Sequence, residues 1–170
     1  GQLALHDALL RAGNAAGVVL KPFGARALNA MRIEKAIPRT GDELNIEVTP
    51  FEAGMGRFLD LAKPSDFIGR AALTAFSTAP LRYAMVALAI EDGEVDPVGG
   101  EPLTCAGALV GYLSSASYGF RVGQRVAIGF VAPRFAKPKQ RLHVHILDRP
   151  VGSMILDGAA YDPPGRLART

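Results

Sequence analysis

The chain has 170 residues, enough for one ordinary domain or for two small lobes sharing an interface. A composition of 49% hydrophobic and 21% charged residues excludes disorder over most of the length, and a single cysteine, Cys105, excludes an internal disulfide and a cysteine-rich metal site. The net charge of +3 comes from 19 basic and 16 acidic residues that are spread rather than clustered, which argues against nucleic acid as the partner.

From Leu3 to Ala12, apolar residues at three- and four-residue spacing (Leu5, Ala8, Leu9, Ala12) predict a short amphipathic helix that stops at Gly13 and Asn14. The chain opens in mid-helix without a cap or a methionine, so the natural protein is expected to extend upstream. Gly17 to Lys21 (GVVLK) reads as a short apolar strand. A second helix is expected from Phe23 to about Lys35, after Pro22, with Ala27, Leu28 and Met31 in one arc. At about 100° per residue, Arg32 falls about 40° from Leu28 and Glu34 about 60° from Met31, on opposite flanks of that stripe.

Pro38 ends this helix, and Thr40-Gly41-Asp42 reads as a turn. The following residues alternate, Leu44, Ile46 and Val48 against Glu43, Asn45 and Glu47, and predict a half-buried strand. Thr49, Pro50 and Glu52 have the spacing of a helix start, with Thr49 as N-cap. Ser65-Asp66 is expected to cap a helix from Phe67 to Phe76, and the small, proline-bearing Ser77–Pro80 stretch marks a lobe boundary.

Beyond it the period changes. YAMVALAI, EPLTCAG, ALVGYLSSAS, QRVAIGFV, QRLHVHIL and VGSMILD are six short strand candidates separated by turn clusters, which predicts a small antiparallel barrel or sandwich. The expected class is therefore α+β, with residues 1–79 as a helical lobe and 80–170 as a β-barrel domain.

Few residues suggest chemistry on their own. His143 and His145 share one face of a strand, but no third metal ligand lies near in sequence. Cys105 reads as a small buried hydrophobe. Neither G-x-G-x-x-G after a strand nor a phosphate-binding P-loop occurs, so a dinucleotide such as FAD is expected only if an upstream oxidoreductase domain exists. Arg134, Lys137, Lys139, Arg141 and Arg149 surround two turns, with only Phe135 interleaved for stacking. Arg32 and Glu34 are either a solvated helix flank or a fork that holds a carboxylate or a heterocycle edge, and spacing does not decide between them.

Four blocks, ALNAMRIEKA, then GDEL, TPFEAGM and DFIGRAAL, together with LVGYLSSASYGFRVGQRVAIGFV and the AAYDPPGRLART tail, resemble the folate-binding aminomethyltransferase family in order and spacing. That family includes the glycine cleavage T-protein and the C-terminal parts of dimethylglycine and sarcosine dehydrogenases, and the wording here is closer to the dehydrogenase branch. The resemblance implies the C-terminal portion of the folate-binding fold followed by a small barrel. It implies tetrahydrofolate as cofactor, accepting a one-carbon unit from a small amine or methyl donor. It places Arg32 and Glu34 at the folate pocket and Tyr118 near it, and makes the upstream segment of the same protein a partner. The family's catalytic aspartate and its pterin-binding T-G-E block lie in the other half, so no catalytic residue is expected in this chain; a noncatalytic module retaining the fold is the rival expectation. No membrane partner and a cytoplasmic location are expected, because no stretch reads as a leader or as the roughly 20 apolar residues of a membrane span.

Overall fold

A computed structural model describes residues 1–91, 93 and 95–167. Three helices, α1 (Gln2–Ala15), α2 (Ala25–Glu34) and α3 (Arg70–Thr78), precede six strands: β1 (Ala84–Ile90), β2 (Pro102–Cys105), β3 (Ala108–Gly119), β4 (Gln124–Val131), β5 (Arg141–Ile146) and β6 (Arg149–Ile155). The strands close an antiparallel barrel in the order β1-β4-β3-β2-β5-β6, with β6 pairing back to β1.

Period-two patterning sets this part. Val86, Leu88 and Ile90 of β1 alternate inward and meet Leu142, Val144 and Ile146 of β5, with Leu103, Leu113 and Val131 filling the rest. β4 is instead buried on both faces. Ala127 and Val131 point into the barrel, whereas Val126 and Ile128 point outward and are covered by Ile33 of α2. α2 thus lies on the outer surface of β3 and β4 and carries the helical residues against the barrel.

β3 contains two register breaks. One lies opposite β2, between the pairs Leu103↔Gly111 and Thr104↔Leu109, and the other opposite β4, where Leu113↔Gly129 is followed by Ser115↔Ile128. At the second, an extra residue, Ser114, shifts the pleat, so Leu113 and Ala116 both join the barrel core although they are three apart.

The six expected strands all form, but the helical part corrects several expectations. GVVLK makes no strand, because no neighbouring strand pairs with it; Gly17 in the left-handed region instead closes α1, with Val18 N–H donating to the Gly13 carbonyl. Gly13 therefore lies inside the helix, with Leu20 folded over it. The residues Glu43 to Val48 form turns, and two positions run against the expected faces: Ile46 is fully exposed and Glu43 is fully buried. The 65–66 cap is absent. α3 starts at Arg70 behind Gly69, whose φ of 94° suits glycine at that bend.

Candidate functional site

The last turn of α2 offers consecutive side chains in directions about 100° apart. Because the helix end is enclosed by the 37–45 loop, by β3 and β4 and by the C-terminal tail, each direction finds a different partner. Ile33 enters the core against Val126 and Ile128. Arg32, Glu34 and Lys35 each tie the helix to a separate piece of chain.

Arg32 is buried, and all five of its N–H donors are engaged. Nε donates to Asn29 Oδ1 at 2.9 Å, Nη1 to Glu43 Oε2 at 2.8 Å and to the Ile37 carbonyl at 3.3 Å, and Nη2 to Asp42 Oδ2 at 2.9 Å and Ser115 Oγ at 2.6 Å. Glu43 receives four hydrogen bonds: from Arg32, from the Arg39 N–H, from Ser114 Oγ at 2.7 Å and from Ser115 Oγ at 2.6 Å. Adjacent strand residues normally point to opposite faces; the β3 bulge is what lets Ser114 and Ser115 reach the same carboxylate. Arg39 adds a second cation on Asp42 at 2.5 Å, so two positive and two negative groups balance and the buried Glu43 charge is compensated.

Glu34 belongs to a different network. Its Oε1 accepts the backbone N–H groups of Arg121 at 2.7 Å and Val122 at 3.1 Å, in the β3–β4 turn. Among the described residues no donor reaches Oε2. The carboxylate can lie there because residue 119 is glycine: a Cβ at that position would stand 3.0 Å from Glu34 Cγ and Oε1. The Glu34 carbonyl accepts the Tyr161 N–H, and Lys35 Nζ donates to the carbonyl and the carboxylate of Asp162, both at 2.7 Å. Lys35 holds the Asp162 carboxyl below its ordinary value, and the tail is strapped across the helix end.

Of the residues suggested by sequence, Tyr118 immediately precedes the glycine that seats Glu34, so by strand alternation its ring is directed to the other face of β3. The Tyr118 ring is partly exposed and meets Phe120 edge to face at 5.2 Å. Arg32 stands apart in the Glu43 network, where its fork holds the protein's own carboxylates. Asp42, Glu43, Ser114 and Ser115 escaped the sequence reading; the only signal was that Asp42 and Glu43 stand in GDEL and the two serines in GYLSSASYG, both blocks of the resemblance.

The remaining candidates do not assemble. His143 and His145 share the outer face of β5 as expected, but His145 Nε2 is paired with Thr104 Oγ1 at 2.9 Å, and no group of three or more potential metal-ligating side chains occurs among the described residues. Cys105 is half-buried beside Gln140. Arg141 and Arg149 sit at opposite ends of the β5–β6 ladder. A second buried acid, Glu52, closes the expected capping box with Thr49 and also binds Arg82; that pairing holds its carboxyl down at about 2.

Comparison with known proteins matches residues 84–162 to the glycine cleavage T-protein C-terminal barrel domain and residues 1–63 to the GCVT N-terminal domain. Human mitochondrial dimethylglycine dehydrogenase is 34% identical over 154 residues, covering 91% of this chain and 18% of that protein. The aminomethyltransferase of Moorella thermoacetica is 39% identical over 124 residues, 73% of this chain and 33% of its own length. That of Desulfitobacterium hafniense is 31% identical over 162 residues, 95% of this chain and 43% of its own. The chain thus spans less than half of each of these relatives. The crystal structure of glycine cleavage system aminomethyltransferase T from Bartonella henselae superposes with a TM-score of 0.71 at 16% identity, over 81% of this chain and 38% of that one, which shows a shared fold.

Proposed function

The chain belongs to the glycine cleavage T-protein family, and from that premise we propose that it is the C-terminal portion of a tetrahydrofolate-dependent protein that transfers an aminomethyl or methyl unit. The observation that carries the reading is the family match on both sides of the α2–barrel contact, 1–63 and 84–162. Its boundary between lobes is proposed at 79/80.

The residues present divide by how they fit a folate. Arg32 has no N–H left to offer a ligand, so it does not fit as a direct contact; its role is positioning, holding the 39–43 loop and β3 at fixed distance from α2. Glu34 keeps one oxygen uncommitted and therefore fits an acceptor for a pterin N–H. The partly exposed Tyr118 ring, at the end of β3, offers a ligand an apolar contact. Tetrahydrofolate, when bound, supplies the nucleophilic nitrogen that takes up the one-carbon unit. This chain's contribution is to orient it, and a proton-moving group is assigned to the upstream segment of the same protein.

That upstream segment is also the proposed partner of the helical part. Leu3, Leu5 and Leu9 of α1 and the following Val19 and Phe23 are all more than half exposed here, an apolar surface that suits burial against more chain. A cytoplasmic location belongs to the proposal in the same way, and FAD enters it only if an upstream oxidoreductase domain exists.

The rival, a noncatalytic module that retains the fold, is favoured by the internal saturation of Arg32. Incubating the parent protein with tetrahydrofolate and an amine donor separates the two: the proposal expects a one-carbon folate adduct to accumulate catalytically. No adduct, together with an upstream sequence lacking the catalytic aspartate and the T-G-E block, would leave the module reading.

A further inference from the structure

A cleft of about 1150 Å3 lies between the 45–52 segment, residues 79–83 and the outer face of β3, outside both networks of α2. Phe76, Pro50 and Pro80 supply apolar wall, while Arg82, Tyr83 and Tyr112 supply polar groups. Arg82 is held in place from behind. Its Nε and Nη2 donate to both oxygens of Glu52 and to the Glu47 carbonyl, which leaves Nη1 without an acceptor among the described residues. The side chain is 61% exposed, so that amino group is open to a ligand.

The two tyrosines repeat the pattern. Their rings meet edge to face at 5.9 Å, and Tyr112 rests in turn on Phe130, which fixes both in place. Neither hydroxyl hydrogen-bonds to a described residue, although both line the cleft. Burial, with Tyr83 and Glu47 nearby, pushes the Tyr112 phenol above its ordinary value, so it keeps its proton and remains a donor. All three residues line the same cleft. The charge of Glu52 is already matched by Arg82, and Glu47, which also lines the cleft, offers an acceptor for an amine or amide N–H.

We propose that this cleft binds an aryl ligand bearing a carboxylate, with the carboxylate on Arg82 Nη1 and the tyrosine hydroxyls and the ring against Phe76, Pro50 and Pro80. Guanidinium and hydroxyl donors around one anion are the usual means of fixing a carboxylate, and flat apolar walls suit a ring. Two sources supply this chemistry: the aminobenzoylglutamate end of a folate, and a free aryl acid. The inference is separate from the folate assignment, because a probe without a pterin tests it.

Calorimetric titration of the parent protein with p-aminobenzoylglutamate, benzoate and neutral 4-aminobenzamide is the experiment. A carboxylate probe is expected to bind with a Kd of about 1 mM or below, and the amide about tenfold more weakly. Tyr112→Phe and Tyr83→Phe keep the rings and should each weaken the carboxylate probe about three- to tenfold with unchanged thermal midpoints. Tighter binding of p-aminobenzoylglutamate than of benzoate assigns the folate end; equal binding assigns a free aryl acid. No binding of either carboxylate below about 10 mM, amide binding equal to theirs, or wild-type affinity in both phenylalanine variants overturns the proposal.

Discussion

Arg32 shows why a charged residue flanking a helix stripe is ambiguous in sequence. Spacing placed it near a surface, yet its partners lie 10, 11 and 83 residues away, and only the fold brings them within reach. Removing it strands Glu43, a fully buried carboxylate, without its cation. Arg32→Met is therefore expected to cost about 3–5 kcal/mol in urea unfolding, and Glu43→Gln in the same chain should recover part of that loss by removing the stranded charge. Additive losses in the double variant would contradict the pairing. Glu52 gives a prediction in pH. Its carboxyl sits at about 2 against an ordinary 4.5 because Arg82 binds it, so the pairing contributes fully above about pH 4.5 and is lost as pH falls from there toward 2. Thermal midpoints should fall over that window, and Arg82→Gln should flatten the fall; an unchanged acid limb in the variant would refute the assignment.

At the scale of elements, the barrel strands were legible because turn signals separate short apolar runs, with clear period-two faces in β1 and β5. The 43–48 segment had the same alternation and formed no strand. There the buried network claims Glu43, and four hydrogen bonds to one carboxylate outweigh the pattern of its neighbours. The β3 bulge was invisible for a related reason: GYLSSAS reads as an ordinary strand, and the extra residue appears only in its pairing with β4. The strand depends on close backbone approach as well. A Cβ on Gly111 would stand 2.0 Å from the Phe130 carbonyl oxygen, so Gly111→Ala must push β3 from β4. It should destabilise by about 1–3 kcal/mol or more, seen as a lower thermal midpoint. Gly107→Ala, in the open β2–β3 turn, meets no neighbouring atom and should lose less, through its positive φ alone. Equal losses would contradict the close-approach argument.

For the whole molecule, α2 is the piece that joins helical residues to barrel. Arg32 ties it to the 39–43 loop and β3, Glu34 to the β3–β4 turn and Lys35 to the tail, so three distant segments converge on one helix end. Motif order pointed to α2 in the sequence, but the division of labour within it did not show there, since neighbouring residues 32 and 34 look alike until their partners are known. That division can be tested at one atom. Glu34→Gln retains an oxygen for the Arg121 and Val122 N–H groups and replaces only the uncommitted oxygen, turning an acceptor into a donor. The most direct measurement is calorimetric titration of the parent protein with tetrahydrofolate, wild type against Glu34→Gln. Binding is expected to weaken about tenfold in the variant at an unchanged thermal midpoint; equal affinity in the two, or no binding by either, would refute the role of Glu34.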